Sequence, residues 1–208
     1  MQRIAKNLLI LIIFSMLVTA NLFSETFDHS YKELQKVYDC ALSMDQSQSL
    51  VDYKHLKLEP EALNNQLKQM EELSEADYDK FQANQKKAFL INAYNAFTIK
   101  LILDNYPTQS IKKLGSLLES PWEKEFINLF GKKRHLNYIE HERLRADFPD
   151  ARIHFAVVCA SIGCPSLSNK VFLEEDIENQ LETASIHFTN NQSKNCLLYT
   201  SPSPRDRG

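Results

Sequence analysis

The spacing of apolar positions changes several times along the chain, and each change predicts an element. Leu8 to Val18 is an almost unbroken apolar run behind Arg3 and Lys6. Tyr31, Leu34, Val37 and Tyr38 recur at helical spacing, which predicts a first helix near residues 29–44. Val51-Asp52-Tyr53 reads as a short extended piece. Between Glu61 and Leu73, the residues Leu63, Leu67, Met70 and Leu73 line one face of an amphipathic helix. Ser74 followed by Asp77 has the spacing of an N-cap and opens another short helix.

Ala88 to Leu103 is different in kind. Its apolar residues lie all round a helix, so it is expected to be a buried central element. Asn92 and Asn95 are three apart within it and share a face. Tyr106-Pro107 stops this helix, and Ser110 caps a turn carrying Ile111, Leu114 and Leu117. Phe126 to Phe130 and Arg134 to Leu136 predict two strands around a Gly131-Lys132 turn. Asn137 with Glu140 has the form of a capping box, opening a helix to Phe148. Ile153 to Cys159 is short, apolar and β-branched, and reads as a buried strand followed by a tight loop from Ala160 to Pro165. Glu174 to Phe188 predicts an amphipathic helix with Ile177, Leu181, Ala184 and Phe188 inward. No internal repeat or linker interrupts the pattern. The expected class is α+β, helix-dominated, with a central buried helix packed on a small sheet.

The two ends change the composition. Eleven apolar residues are too few to span a bilayer core of about 30 Å comfortably. With the basic residues before it and Val18-Thr19-Ala20 after it, the run reads as a signal peptide over residues 1–20. The expectation is export to the periplasm or medium, with a membrane met only through that segment. Cys196 to Gly208 (Cys-Leu-Leu-Tyr-Thr-Ser-Pro-Ser-Pro-Arg-Asp-Arg-Gly) has neither helical nor strand period and resembles a translated sequencing-adapter tail of metagenomic origin. Without both ends the chain runs from Asn21 to Asn195, 175 residues with 20 basic and 26 acidic side chains. Its net charge moves from −3 to −6. An acidic chain has no basic excess to hold a polyanion, so no nucleic-acid partner is expected. Only four glycines occur in the whole sequence, and no glycine-rich phosphate loop is among them.

Three cysteines then remain: Cys40, Cys159 and Cys164. Cys159 would end the buried strand, where a loop can present a reactive group. On a strand, His154 points to the face opposite Cys159. His141 is the better partner, because Asn137, His141, Leu144 and Phe148 share one helical face that should be inward. A thiolate with an imidazole base and an amide from Asn92 or Asn95 would supply nucleophile, base and orienter. Three states of Cys159 stand side by side: a reactive thiol, an inert buried thiol, and a disulfide with Cys164. The two asparagines read equally as buried amides bonded to loop backbone. No metal or other cofactor is expected, since His141-Glu142 continues to Arg145 where a zinc-binding H-E-x-x-H needs its second His.

Three stretches are familiar together: Lys87 to Ala96, Leu136 to Arg145, and Arg152 to Leu167. Their order and spacing resemble the DUF547 family, a domain of unknown function found in bacteria and plants, over roughly Val51 to Asn191. Val51-Asp52-Tyr53 and Pro121-Trp122 fit the same pattern. The resemblance places the family's recurrent polar positions on Asn92, Tyr94, Asn95, Glu140, His141, Arg145, His154, Cys159, Cys164 and Pro165. Of these, Tyr94, Glu140, Arg145 and Cys164 are candidate binding residues. The resemblance implies no settled activity. The expected organisation is a helical lead-in over 21–50 and a DUF547-like domain over 51–195. That domain is expected to be incomplete at its C-terminus, where the family continues with an aromatic-rich acidic segment. Two functions follow as expectations. One is an exported thiol-dependent hydrolase or acyltransferase. The other is a non-catalytic exported binding or scaffold domain with a Cys159–Cys164 disulfide. Either would take a small molecule or a peptide.

Overall fold

The computed structural model describes residues 27–45, 48–116, 120–161 and 163–194. The predicted signal peptide, the start of the lead-in, Leu117, Ile162 and the Cys196–Gly208 tail lie outside the described residues. The chain begins with α1 (Lys32–Ala41), followed by a hairpin of β1 (Leu42–Asp45) and β2 (Gln48–Val51). Next come α2 (Tyr53–Leu58), α3 (Glu61–Glu72), α4 (Glu75–Asp79) and the long α5 (Ala83–Asp104). A second hairpin pairs β3 (Ile127–Leu129) with β4 (Lys132–Arg134). A π-helical segment (Tyr138–Leu144) runs into a single turn, α6 (Arg145–Asp147). A 3₁₀ turn (Ala151–Phe155) and α7 (Ile177–Thr189) complete the described order. The class is helix-dominated α+β with two antiparallel two-stranded sheets.

Helix α5 is the core. Every residue from Lys87 to Ile99 is buried, as an all-round apolar helix requires. A reciprocal capping box starts it, with Gln82 and Gln85 each accepting the other's backbone N–H. Helices α2, α3 and α7 and the π-helical segment pack around it, and α1 lies on α3. No helix among the described residues is long and apolar enough to cross a membrane.

Local chemistry explains where elements depart from the sequence pattern. The first helix is shorter than 29–44 because Tyr31 takes a left-handed φ of 48° and the chain is extended from Leu42. Tyr53 is helical, since the Asp52 side chain accepts the His55 N–H at 2.9 Å and caps α2. Ser74 caps α4 as expected, accepting the Asp77 N–H at 3.1 Å. The second hairpin turns at Phe130-Gly131, one residue earlier than the pattern suggests, so that Leu129 faces Lys132. Both turn residues have positive φ (56° and 70°), as a two-residue hairpin with the right twist demands. Phe130 is an unusual residue there, and its ring packs 4.7 Å from that of Tyr78. Asn137 makes no side-chain cap; His135 Nδ1 instead accepts the Tyr138 N–H at 2.9 Å.

The expected strand over Ile153–Cys159 is absent. Asp150 accepts the Arg152 N–H at 2.9 Å and starts a 3₁₀ turn instead. The β-branched run reports burial, not pairing: Ile153, Ala156 and Val157 are all buried without a strand partner. Arg152 holds the turn against α7 through Asp150 and Glu178, and Lys87 reaches the same Glu178 at 2.9 Å. The Arg152 hydrogen bond holds the Asp150 carboxyl below its ordinary value, and Lys87 and Arg152 do the same for Glu178. A carboxyl depressed by folding contributes stability above its unfolded value, and that contribution is lost as pH falls through the folded one. The thermal midpoint should therefore drop between about pH 5 and about pH 3. Arg152→Met should show a smaller drop over that window by calorimetry, and an equal drop would remove this pair of carboxylates as its cause.

Candidate functional site

One side of α5 carries Asn92, Asn95 and Thr98 at three-residue intervals, and all three are buried. Asn92 clamps a single residue, accepting the Phe172 N–H at 2.9 Å and donating to the Phe172 carbonyl at 2.8 Å. Asn95 does the same across a turn, accepting from Val158 N–H and donating to the Ala156 carbonyl, both at 3.0 Å. Each amide thus satisfies two backbone groups that have no secondary-structure partner, which is how burial of an irregular segment is tolerated. Of the two readings open for these asparagines, the geometry is that of backbone anchors.

The Asn95 clamp leads directly into the cysteine loop. Cys159 and Cys164 form a disulfide with their Cα atoms 6.2 Å apart. Ala160 takes a left-handed φ of 53°, and the Cys164 N–H donates to the Ser161 carbonyl at 2.9 Å. Beyond the loop, the Leu167 N–H donates to Ser49 Oγ of β2 at 2.7 Å. Lys194 closes the other side, its Nζ donating to the Cys164 carbonyl at 2.6 Å and to Ser166 Oγ at 3.2 Å. These ties leave a cleft of about 260 Å³ between β2, α5 and the loop. Its floor includes Asn95, Thr98, Ile99 and Ile102, and its walls include Val51, Pro165 and Leu167. Thr98 Oγ1 is buried in this lining without a hydrogen-bond partner among the described residues. A second hollow of about 300 Å³ lies beyond the Ser166-Leu167 ridge, along α7.

The histidines stand elsewhere. His141 is exposed, not inward. The cause is the π-helical winding, whose i→i+5 hydrogen bonds put residues five apart on one face. Ile139 and Leu144 are both fully buried, Arg143 Nη1 donates to Tyr138 Oη at 3.1 Å, and Arg145 Nη2 donates to Glu140 Oε1 at 2.8 Å. An α-helical reading of the same residues sets His141 too close to the face of the buried Leu144. His154 is also exposed, with Nδ1 3.5 Å from Arg145 Nη2. Among the described residues, neither imidazole is hydrogen-bonded to a cysteine sulfur.

The structure therefore divides the predicted site residues into groups. Asn95 lies in the cleft floor, Cys159 and Cys164 close the loop whose Ala160 and Ser161 line the cleft, and Asn92 is the neighbouring anchor. Tyr94, Glu140, Arg145 and His154 form a second polar group. There burial, with the Glu140 carboxylate beside it, pushes the Tyr94 hydroxyl's pKa up. His141 joins neither. Thr98, Ser49 and Lys194 line the cleft and were not singled out from sequence. The three-residue interval from Asn92 through Asn95 continues to Thr98 and was a usable signal for it. Lys194 carried none, lying in a polar stretch after the last helix. Among the described residues no group of three His, Cys, Asp or Glu side chains is placed to hold a metal ion. Cys40 is a free, exposed cysteine.

A family model described as a protein of unknown function, DUF547, matches residues 78–189, more than half of the chain. That span holds α5, the π-helical segment, the cysteine loop and α7. No curated protein and no solved structure matches the chain.

Proposed function

The chain belongs to the DUF547 family, and on that premise we propose that it is an exported, non-catalytic binding domain for a small molecule or short peptide, with the disulfide-closed loop as one wall of its site. The observation that supports this best is the cleft itself, lined by Ala160 and Ser161 of a loop whose ends, Cys159 and Cys164, are tied to each other. A thiol hydrolase needs that sulfur free and beside a base. Here Asn95 is engaged with backbone and both candidate histidines are exposed. The volume favours a small ligand, since clefts that hold drug-sized molecules begin at about 300 Å³.

Two measurements test the reading. Alkylation followed by peptide mapping should label Cys40 without reductant, and Cys159 and Cys164 only after reduction. Fast labelling of Cys159 in the unreduced protein would replace the binding reading with the thiol one. Fragment screening by ligand-observed NMR should find binders that are lost in Ile99→Trp, which fills the cleft floor. Binders unaffected by that substitution would place recognition elsewhere.

A further inference from the structure

Among the described residues the cleft has one charged lining group, Lys194, and no carboxylate pairs with it. Lys194 donates to two neutral oxygens, the Cys164 carbonyl and Ser166 Oγ, which leaves one of its three N–H groups over. Among the described residues it is paired with no carboxylate, and burial lowers its pKa with no acidic neighbour acting against it. Other sheltered cations of this chain are treated differently. Lys87 has Glu178, Arg143 has Glu75 and Asp147, and Arg152 has Asp150. A half-buried ammonium facing an apolar cleft without a counter-charge is electrostatically incomplete, and a ligand anion completes it.

Thr98 adds a second unmet polar group in the same lining. The remaining contacts available to a ligand are largely apolar: Val51, Ile99, Ile102, Pro165 and Leu167. We propose that this cleft recognises a small apolar carboxylate, its anionic end on Lys194 and its hydrocarbon body against α5 and Leu167. The proposal rests on the binding reading above and names the ligand class for it. A single cation suits a monoanion, and among the described lining residues Lys194 is the one Lys or Arg. The size agrees. A cavity of about 150 Å³ takes a benzene ring, so about 260 Å³ holds a ring with a short carboxylate arm.

Isothermal titration of the full chain with three probes of one shape tests this: 3-phenylpropanoate, 3-phenylpropanol and 3-phenylpropylamine. The carboxylate should bind about tenfold or more tighter than the alcohol, the worth of one charge-assisted hydrogen bond, and the amine should not bind. Lys194→Gln should erase the advantage of the carboxylate over the alcohol, and Lys194→Arg should keep it. Ile99→Trp should abolish binding of both. Equal binding of acid and alcohol, both lost in Ile99→Trp, would overturn the carboxylate assignment and keep the cleft as a binding site. A carboxylate preference that survives Lys194→Gln would likewise overturn the assignment. No binding by any probe, or binding indifferent to Ile99→Trp, would overturn this proposal and the binding reading together.

Discussion

Asn95→Asp is expected to destabilise the domain by about 3 kcal/mol at neutral pH, the cost of leaving a buried carbonyl unsatisfied beside a buried charge. The new carboxylate keeps the acceptor for the Val158 N–H but loses the donor to the Ala156 carbonyl, and sets two oxygens against each other at the former 3.0 Å contact. Its pH dependence identifies the cause. A protonated Asp side chain donates again, so the folded state raises this carboxyl's pKa. The stability of a group raised by folding is present below its unfolded value and lost as pH rises through the folded one. The deficit should therefore shrink as pH falls toward about 4, the unfolded value for Asp. Urea unfolding at several pH values measures this directly. A deficit below about 0.5 kcal/mol, the size of an ordinary surface change, would mean that the disulfide and Lys194 hold the loop without Asn95. Since Asn95 also forms part of the cleft floor, the variant should weaken any cleft ligand even where the protein stays folded.

Phe89→Ala should cost more, about 4 kcal/mol, the range for a large buried aromatic replaced by a methyl group. Phe89 is fully buried on α5. Its ring centroid lies 5.2 Å from that of Phe27, 5.6 Å from Tyr78 and 6.1 Å from Phe130. That contact also supports the β3–β4 hairpin, because Phe130 sits at positive φ and is packed against Tyr78 and Phe89. Loss of the Phe89 ring removes packing that offsets the backbone strain at Phe130. Chemical denaturation gives the size of the effect. A cost under about 2 kcal/mol would mean that the surrounding rings close the cavity, as the more tolerant sites do.

Both predictions concern one helix, and the two halves of its role were unequally visible. The burial of Ala88–Leu103 was legible because an apolar surface on every side leaves a helix nowhere to go but the interior. The amphipathic helix at Glu61 and the cap at Ser74 were legible for a similarly local reason. The three family-like stretches contain Asn92 and Asn95, which anchor irregular backbone, and Cys159 and Cys164, which form a disulfide. The partners of those residues were not legible. Asn95 meets Ala156 and Val158 across about sixty positions of sequence, a separation over which no local pattern carries information.

Two misreadings share that origin. Ile153–Cys159 has the composition of a buried strand, but a strand exists only where another strand offers its hydrogen bonds. An asparagine on α5 and a cap from Asp150 satisfy this segment's backbone instead. His141 lies on an inward face only if its helix has 3.6 residues per turn, and the π-helical winding turns it outward while bringing Glu140 to Arg145. The sequence by itself determined the helical class, the buried central helix and the family. The tertiary structure alone decided that the cysteines pair, that the asparagines anchor backbone and that Lys194 faces the cleft. Burial follows from the local spacing of apolar side chains, whereas each of those pairings depends on which distant segment the packed core brings alongside.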